Sequence, residues 1–315
     1  MSSISTVTVT VPATTANMGP GFDCIGAALS IYNQFKFTRL DANKNSENEP
    51  VLEIYVKGLE AEGVNTDHTN LVYQAFLKFY HHIAQTPPAL QIDIQLAVPL
   101  ARGLGSSATA IVAGLVGANA LAGNPLTQTQ IMQLAISMEG HPDNVVPALL
   151  GGCRLAACDE NNPQDWQICE ISWHPEIVPV VAIPNFELST SEARRVLPND
   201  YSRADSIFNI SHLGLLVRGI ETANPDWLRV ALQDKIHQPY RQPLIAGYQA
   251  VFSAALDSGA YGMTISGAGP TLLALSPQAK AIAVQKAMIE AWKQSGIVPD
   301  VQILQLDQAG ASIIA

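Results

Sequence analysis

PLARGLGSSATA (99 to 110) joins a strand to a helix through a Gly-rich turn, and this stretch decides how the rest of the chain is read. The alternating run LQIDIQLAVP ends at Pro99, Gly103 and Gly105 free the backbone, and Ser106 and Ser107 open a helix built of small residues, ATAIVAGLVGANALAG. Unpaired amides at a helix N-terminus, with the helix dipole behind them, hold phosphate oxygens without many cationic side chains. A hydroxyl there is also a hard oxygen ligand suited to magnesium. Three better-known loops fit less well. Walker A requires Lys where Ser106 stands. Gly103, Gly105 and Ala108 satisfy G-x-G-x-x-A, but the acidic residue that a dinucleotide site needs about 20 positions later is missing from AGNPLTQTQ. Neither serine is flanked as in G-x-S-x-G. An ordinary strand-to-helix turn is the structural alternative.

Outward from this loop, strands and helices mix. VTVTVPA (7 to 13) has β-branched strand character, TTANMGPGFDCIG supplies turn residues, and AALSIYNQFKFTRL resumes a strand-forming run. DANKNSENEP (41 to 50) reads as a polar surface turn, VLEIYVKG as a strand and LVYQAFLKFYHHIA as an amphipathic helix. LTQTQIMQLAISMEG follows as a helix capped near Thr127. Periodicity fades around residues 157 to 177, where a domain boundary is expected, dividing 1–165 from 166–315. Beyond it come the strand VPVVAIP, three expected helical segments between 190 and 258, GMTISGAGPTLLAL, a helix over 277 to 295 and VQILQL. The fold class is α+β.

Composition narrows the function. With 315 residues, 48% apolar, the chain can bury a substantial core. Lys and Arg number 17 against 27 Asp and Glu, a net charge of −10, and no basic cluster is present, so nucleic acid is not expected as a partner. MSSISTVTVT does not read as a secretory signal, and the apolar stretch 108 to 123 is too short and too rich in Gly and Ala to span a membrane. Cysteines 24, 153, 158 and 169 form no C-x-x-C pair, which argues against a zinc knuckle and fits reduced thiols in a cytoplasm.

PLARGLGSSATA resembles the P-x-x-x-G-L-G-S-S-A signature of the kinases named for galactokinase, homoserine kinase, mevalonate kinase and phosphomevalonate kinase, the GHMP superfamily. PATTANMGPGFDCIG (12 to 26) and TISGAGPTLLAL (264 to 275) match its other two motifs in order. EGHPDNVVPALLGG (139 to 152) and TSEARRVLP (190 to 198) are similar to the homoserine kinase family in particular. The resemblance implies two domains, ribosomal-protein-S5-like then ferredoxin-like, a homodimer, and ATP- and Mg²⁺-dependent conversion of L-homoserine to O-phospho-L-homoserine.

The same resemblance assigns candidate roles. Pro99, Leu100, Ala101, Arg102, Gly103, Leu104, Gly105, Ser106, Ser107, Ala108 and Thr109 form the nucleotide loop, and Ser107 and Glu139 match the family's magnesium ligands. Asn17, Asp23, His141 and Asn144 line the substrate pocket, while Arg194 and Arg241 grip a carboxylate, a task suited to a planar guanidinium. Asp23 either pairs with the substrate ammonium or accepts the hydroxyl proton. No general base is assigned, since the γ-phosphate itself can take that proton. Asn70 lies near the nucleotide base or caps a helix, and Gly267 and Gly269 shape the wall of the site.

Overall fold

The computed structural model describes residues 5–40 and 51–314, so the turn expected at 41–50 lies outside the described residues. Val7, Val9 and Val11 alternate inward along β1 (Thr6–Ala16), as strand geometry requires. A register shift at Pro12/Ala13 ends that alternation, and Ala13 to Ala16 are buried as the chain turns into the 17–24 loop. β2 (Ile25–Arg39) pairs antiparallel with β1. Its C-terminal half pairs with β4 (Leu90–Leu96) and its N-terminal end with β5 (Cys153–Cys158). β3 (Leu52–Gly58) runs parallel to β4, with α1 (Leu71–His82) as the crossover such a pair needs.

One face of this sheet is covered by α1, α2 (Ser106–Leu121), α3 (Gln128–Glu139) and α4 (Pro142–Leu150). The core between them includes Val9, Phe35, Phe37, Phe76, Ile111 and Leu115. Each such side chain contributes about 1.5–3 kcal/mol on burial. α2 is apolar on all sides because it lies against α1, α3, α4 and β1 together. This explains the long apolar stretch noted in the sequence. Among the described residues no helix is long and apolar enough to cross a membrane. Thr127 caps α3 in a reciprocal capping box with Gln130.

A second sheet has the antiparallel order β10-β7-β9-β8. Its strands are β7 (Ile177–Ile183), β8 (Gly262–Ile265), β9 (Leu272–Pro277) and β10 (Asp300–Ile303). With helices after β7 and α10 (Ala281–Gln294) after β9, the unit follows the βαββαβ order of a ferredoxin-like domain. The expected two-domain α+β architecture is present. Between β7 and β8 lie α5 (Thr190–Arg195), α6 (Arg203–Thr222), α7 (Pro225–Ala231), α8 (Gln238–Arg241) and α9 (Tyr248–Asp257). These are five helices where three segments were expected. Pro225 and Pro239 sit in the first turns of α7 and α8, where proline starts a helix and does not extend one.

The boundary expected at 165/166 falls inside a hairpin: β6 (Trp166–Ile171) pairs with β5 and so stays in the first sheet. The change of sheet comes between Ile171 and Ile177. The chain also returns, since β11 (Ser312–Ile314) pairs with β1. Between the two sheets Met18, Ile25 and Leu29 share one core with Val181, Leu273, Leu216 and Leu228. The 17–24 loop is thus held by both halves.

Candidate active site

Segments distant in sequence meet at one cavity of about 410 Å³, lined by the 17–23 loop, the phosphate loop, the α3–α4 junction and residues 267–268. The phosphate loop takes the shape its glycines allow. Gly103 (φ +78°) passes so close to the 266–269 turn that a Cβ would lie 2.2 Å from the Ser266 carbonyl oxygen. At Gly105 (φ +68°) a Cβ would lie 2.0 Å from Thr14 Oγ1. Gly105 is the N-cap of α2 and supplies no side-chain cap, and Ser106 and Ser107 in the first turn of this 16-residue helix border the cavity. Ser106, Ser107 and Thr109 line it, whereas Leu104 and Ala108 point into the core. Pro99 is not among the lining residues.

Ser107 Oγ donates to Glu139 Oε1 at 2.7 Å. Burial lifts the Glu139 carboxyl above its ordinary range, against the lowering effect of this hydrogen bond and of His141. A hydroxyl and a carboxylate are hard oxygen donors, and a buried carboxyl pushed toward its neutral form is one that a cation would stabilise as the anion. These two residues therefore fit Mg²⁺.

On the same cavity wall, Asp23 and Arg194 form a bidentate pair, Nη2 to Oδ1 at 2.8 Å and Nη1 to Oδ2 at 3.0 Å. Ser189 and Glu192 make the capping box that starts α5 and brings Arg194 to this position. Asn17 Oδ1 accepts from the Asp23 N–H at 2.9 Å, and Asn17 Nδ2 donates to the Gly267 carbonyl at 2.8 Å. Asn17, Met18 and Asp23 all have positive φ, a strain of about 1–3 kcal/mol per residue that the two-sided packing of the loop sustains. Gly267 and Gly269 also have positive φ, and the Gly267 N–H donates to the Ala16 carbonyl, fastening this turn to the end of β1. Buried Arg241 donates to the Ala193 and Gly267 carbonyls, and both guanidinium groups stand over the Phe22 ring, at 5.6 Å for Arg194 and 5.2 Å for Arg241.

His141 Nδ1 lies 2.5 Å from Asp143 Oδ1. Burial alone would lower the imidazole pKa, but the Asp143 hydrogen bond and charge, with Asp23 and Glu139, raise it overall. Asn144 accepts from Thr14 Oγ1 at 2.8 Å. Asp23, His141 and Asp143 lie close enough to hold a metal ion, but each carboxylate already has a protein partner, which marks them as a charge network.

Two candidate nucleotide residues have structural duties as well. Asn70 lines the cavity and caps α1, accepting from the Val72 and Tyr73 amides. Arg102 lines it too, yet its guanidinium is committed to Glu60 (2.9 Å), Glu187 (3.3 Å) and the carbonyls of Leu100 and Pro184. It binds the phosphate loop to the second half of the chain. Arg102→Ala is expected to cost about 2–3 kcal/mol of stability, read as a lower midpoint in urea unfolding. An unchanged midpoint would mean that these bonds hold nothing together.

Asp143, Asn33 and Phe22 were not singled out from the sequence. Asn33 bonds Thr109 Oγ1 and the amides of Ala97 and Val98, tying β2 to the phosphate loop, and its signal was an amide in phase with the inward-facing Phe35 and Phe37. Cys24 is half-buried beside the site, and burial, then Asp143 and Asp23, push its thiol up to about 11. Iodoacetamide at pH 8 should therefore modify exposed Cys158 and Cys169 at least about tenfold faster than Cys24 by peptide mass mapping. Equal rates would contradict this environment.

The profile described as "GHMP kinases N terminal domain" matches residues 70–152, and that described as "GHMP kinases C terminal" matches residues 216–294. Fold and site together define a small-molecule kinase of the GHMP type. The chain is 65% identical to a homoserine kinase of Nostoc punctiforme over 99% of both chains. It is likewise 65% identical to one from Microchaete diplosiphon, covering 99% of this chain and 98% of that one. The crystal structure of a homoserine kinase from Cytophaga hutchinsonii superposes with a TM-score of 0.87 at 28% identity, covering 100% of this chain and 99% of that one. The chain belongs to the homoserine kinase family.

Proposed function

We propose that this enzyme transfers the γ-phosphoryl group of ATP to the side-chain hydroxyl of L-homoserine through the residues just described. The observation that carries the residue assignment is the mixed lining of one cavity. Apolar Val64, Leu71 and Val72, the first turn of α2 with the Ser107–Glu139 pair, and Asp23 with Arg194 and Arg241 all border it. An adenine, a triphosphate and a zwitterionic amino acid need those three kinds of surroundings. The α2 amides and dipole hold the phosphates. Ser107 and Glu139 would hold Mg²⁺, which would supply neutralisation of the phosphate charge. Asp23 turns from Arg194 to the substrate ammonium, and Arg194 and Arg241 take the carboxylate.

This leaves the hydroxyl aligned with the γ-phosphorus. The new O–P bond forms as the bond to the β–γ bridging oxygen breaks, and the hydroxyl proton passes to a phosphoryl oxygen. No separate base is assigned. Placement and charge neutralisation supply most of the rate in such transfers. The test is ADP release from purified protein with Mg-ATP and L-homoserine, beside mevalonate, galactose and shikimate. Homoserine-dependent release with O-phosphohomoserine as product is expected. Release with a different acceptor would overturn the substrate, and release with none would overturn the reaction.

A further inference from the structure

His237 belongs to none of the motifs that marked the site, and it does not line the cavity. Its side chain is fully buried in the turn before α8. Nε2 lies 2.8 Å from the carbonyl oxygen of Gly19, in the middle of the 17–23 loop. A carbonyl only accepts, so Nε2 carries the hydrogen and Nδ1 keeps its lone pair. That lone pair faces Arg241 Nη1 at 3.4 Å. The ring also stacks on Phe22, with centroids 5.3 Å apart and planes at 27°, and Phe22 is the ring over which both arginines stand.

The surroundings keep this imidazole neutral. The nearest carboxylate, Asp234, is 3.6 Å from Nε2 and already accepts from Asn209 Nδ2 and the amides of Ile236, His237 and Gln238. It needs no proton from His237. Burial and the Arg241 charge hold the His237 pKa down at about 4 against the opposing pull of Asp234. Arg241 in turn spends Nε on Ala193 and Nη1 on Gly267 and His237, while Nη2 has no protein acceptor among the described residues. That edge belongs to a guanidinium lining the cavity.

We propose that His237 is a positioning residue for substrate recognition, a neutral imidazole that ties the 17–23 loop to Arg241 and sets the angle at which the guanidinium meets the substrate carboxylate. This rests on Arg241 being a carboxylate clamp, as proposed above. A planar fork binds a carboxylate well only within a narrow range of orientation, so a group that fixes its rotation acts on substrate affinity without touching the substrate.

Two near-isosteres separate the ends of the imidazole. Gln places an amide N–H near the Nε2 position and leaves no acceptor at Nδ1, whereas Asn places a carbonyl oxygen near Nδ1 and does not reach Gly19. His237→Gln is expected to raise KM for homoserine about 5- to 20-fold with KM for ATP within about twofold, and His237→Asn to recover part of that loss. In an Arg241→Met background, His237→Gln should add no more than about twofold. A full penalty in that background, or equal rises in both KM values, would assign His237 to general support of the fold and overturn the proposal. If Arg241→Met alone left KM for homoserine unchanged, the clamp reading would fail, and this proposal with it. If the Gln variant does not fold, as judged by its thermal melt, His237→Asn alone and with Arg241→Met carries the same cycle: a KM rise confined to homoserine and lost in that background supports the proposal, and one that persists there overturns it.

Discussion

Glu139→Gln should lower kcat by about 100- to 1000-fold at saturating ATP and homoserine, the scale expected when one preorganised electrostatic contact to the transferring group is lost. Gln keeps the shape of Glu139 and can still accept from Ser107 Oγ, the 2.7 Å bond seen between α3 and α2. What it lacks is the anionic oxygen. The wild-type carboxyl is buried enough to be pushed toward protonation, against the Ser107 hydrogen bond and the His141 and Arg194 charges, and a bound cation would favour its ionised form further. A loss of charge at constant shape should therefore appear in kcat and in the Mg²⁺ concentration for half-maximal rate. KM for homoserine should move little. A kcat within threefold of wild type at every Mg²⁺ concentration would remove Glu139 from the metal site.

The second large effect is expected from the ion pair proposed to meet the substrate. Asp23 and Arg194 are 171 residues apart in the chain and meet bidentately at the cavity. Both are partly exposed, 32% for Asp23 and 39% for Arg194, so the pair contributes at most about 1 kcal/mol to stability and opens readily. On the proposed assignment, a zwitterion entering between them would exchange one pairing for two, ammonium to Asp23 and carboxylate to Arg194. Arg194→Met and Asp23→Asn should each lower kcat/KM for homoserine about 10- to 150-fold, equivalent to about 1.5–3 kcal/mol, while KM for ATP changes little. An acceptor without the amino group should be penalised less than homoserine by Asp23→Asn, because the contact removed is one it never makes. If both variants kept wild-type homoserine kinetics, the substrate end of the cavity has been assigned to the wrong residues.

Much of the local form of the Gly-rich loop and its helix was legible in the sequence. The glycines at 103 and 105, the serines after them and the small-residue helix all act within a few residues of one another, and backbone preference and helix-end chemistry are local properties. The same holds for the capping boxes at Thr127 and Ser189 and for the alternating valines of β1. Arg102 shows the limit. Its place in the loop was readable, but its commitment to Glu60, Glu187 and the Pro184 carbonyl depends on a surface that folds against it from up to 85 residues away.

The sequence by itself determined that a Gly-rich turn opens a buried helix, that strands and helices mix in two units, and that acidic, amide and guanidinium side chains are available for a charged small molecule. Only the tertiary structure decided that Asp23 is paired with Arg194, that Asn33 braces Thr109, that Asp143 holds His141, and that His237 stands between Gly19 and Arg241. It also decided that β6 stays with the first sheet and that β11 returns to it. The physical reason is one of range. Turns, caps and periodicity are set by neighbours along the chain, whereas the partner of a buried polar group is chosen by which surfaces pack, and the burial that makes such a partner necessary does not exist until they do.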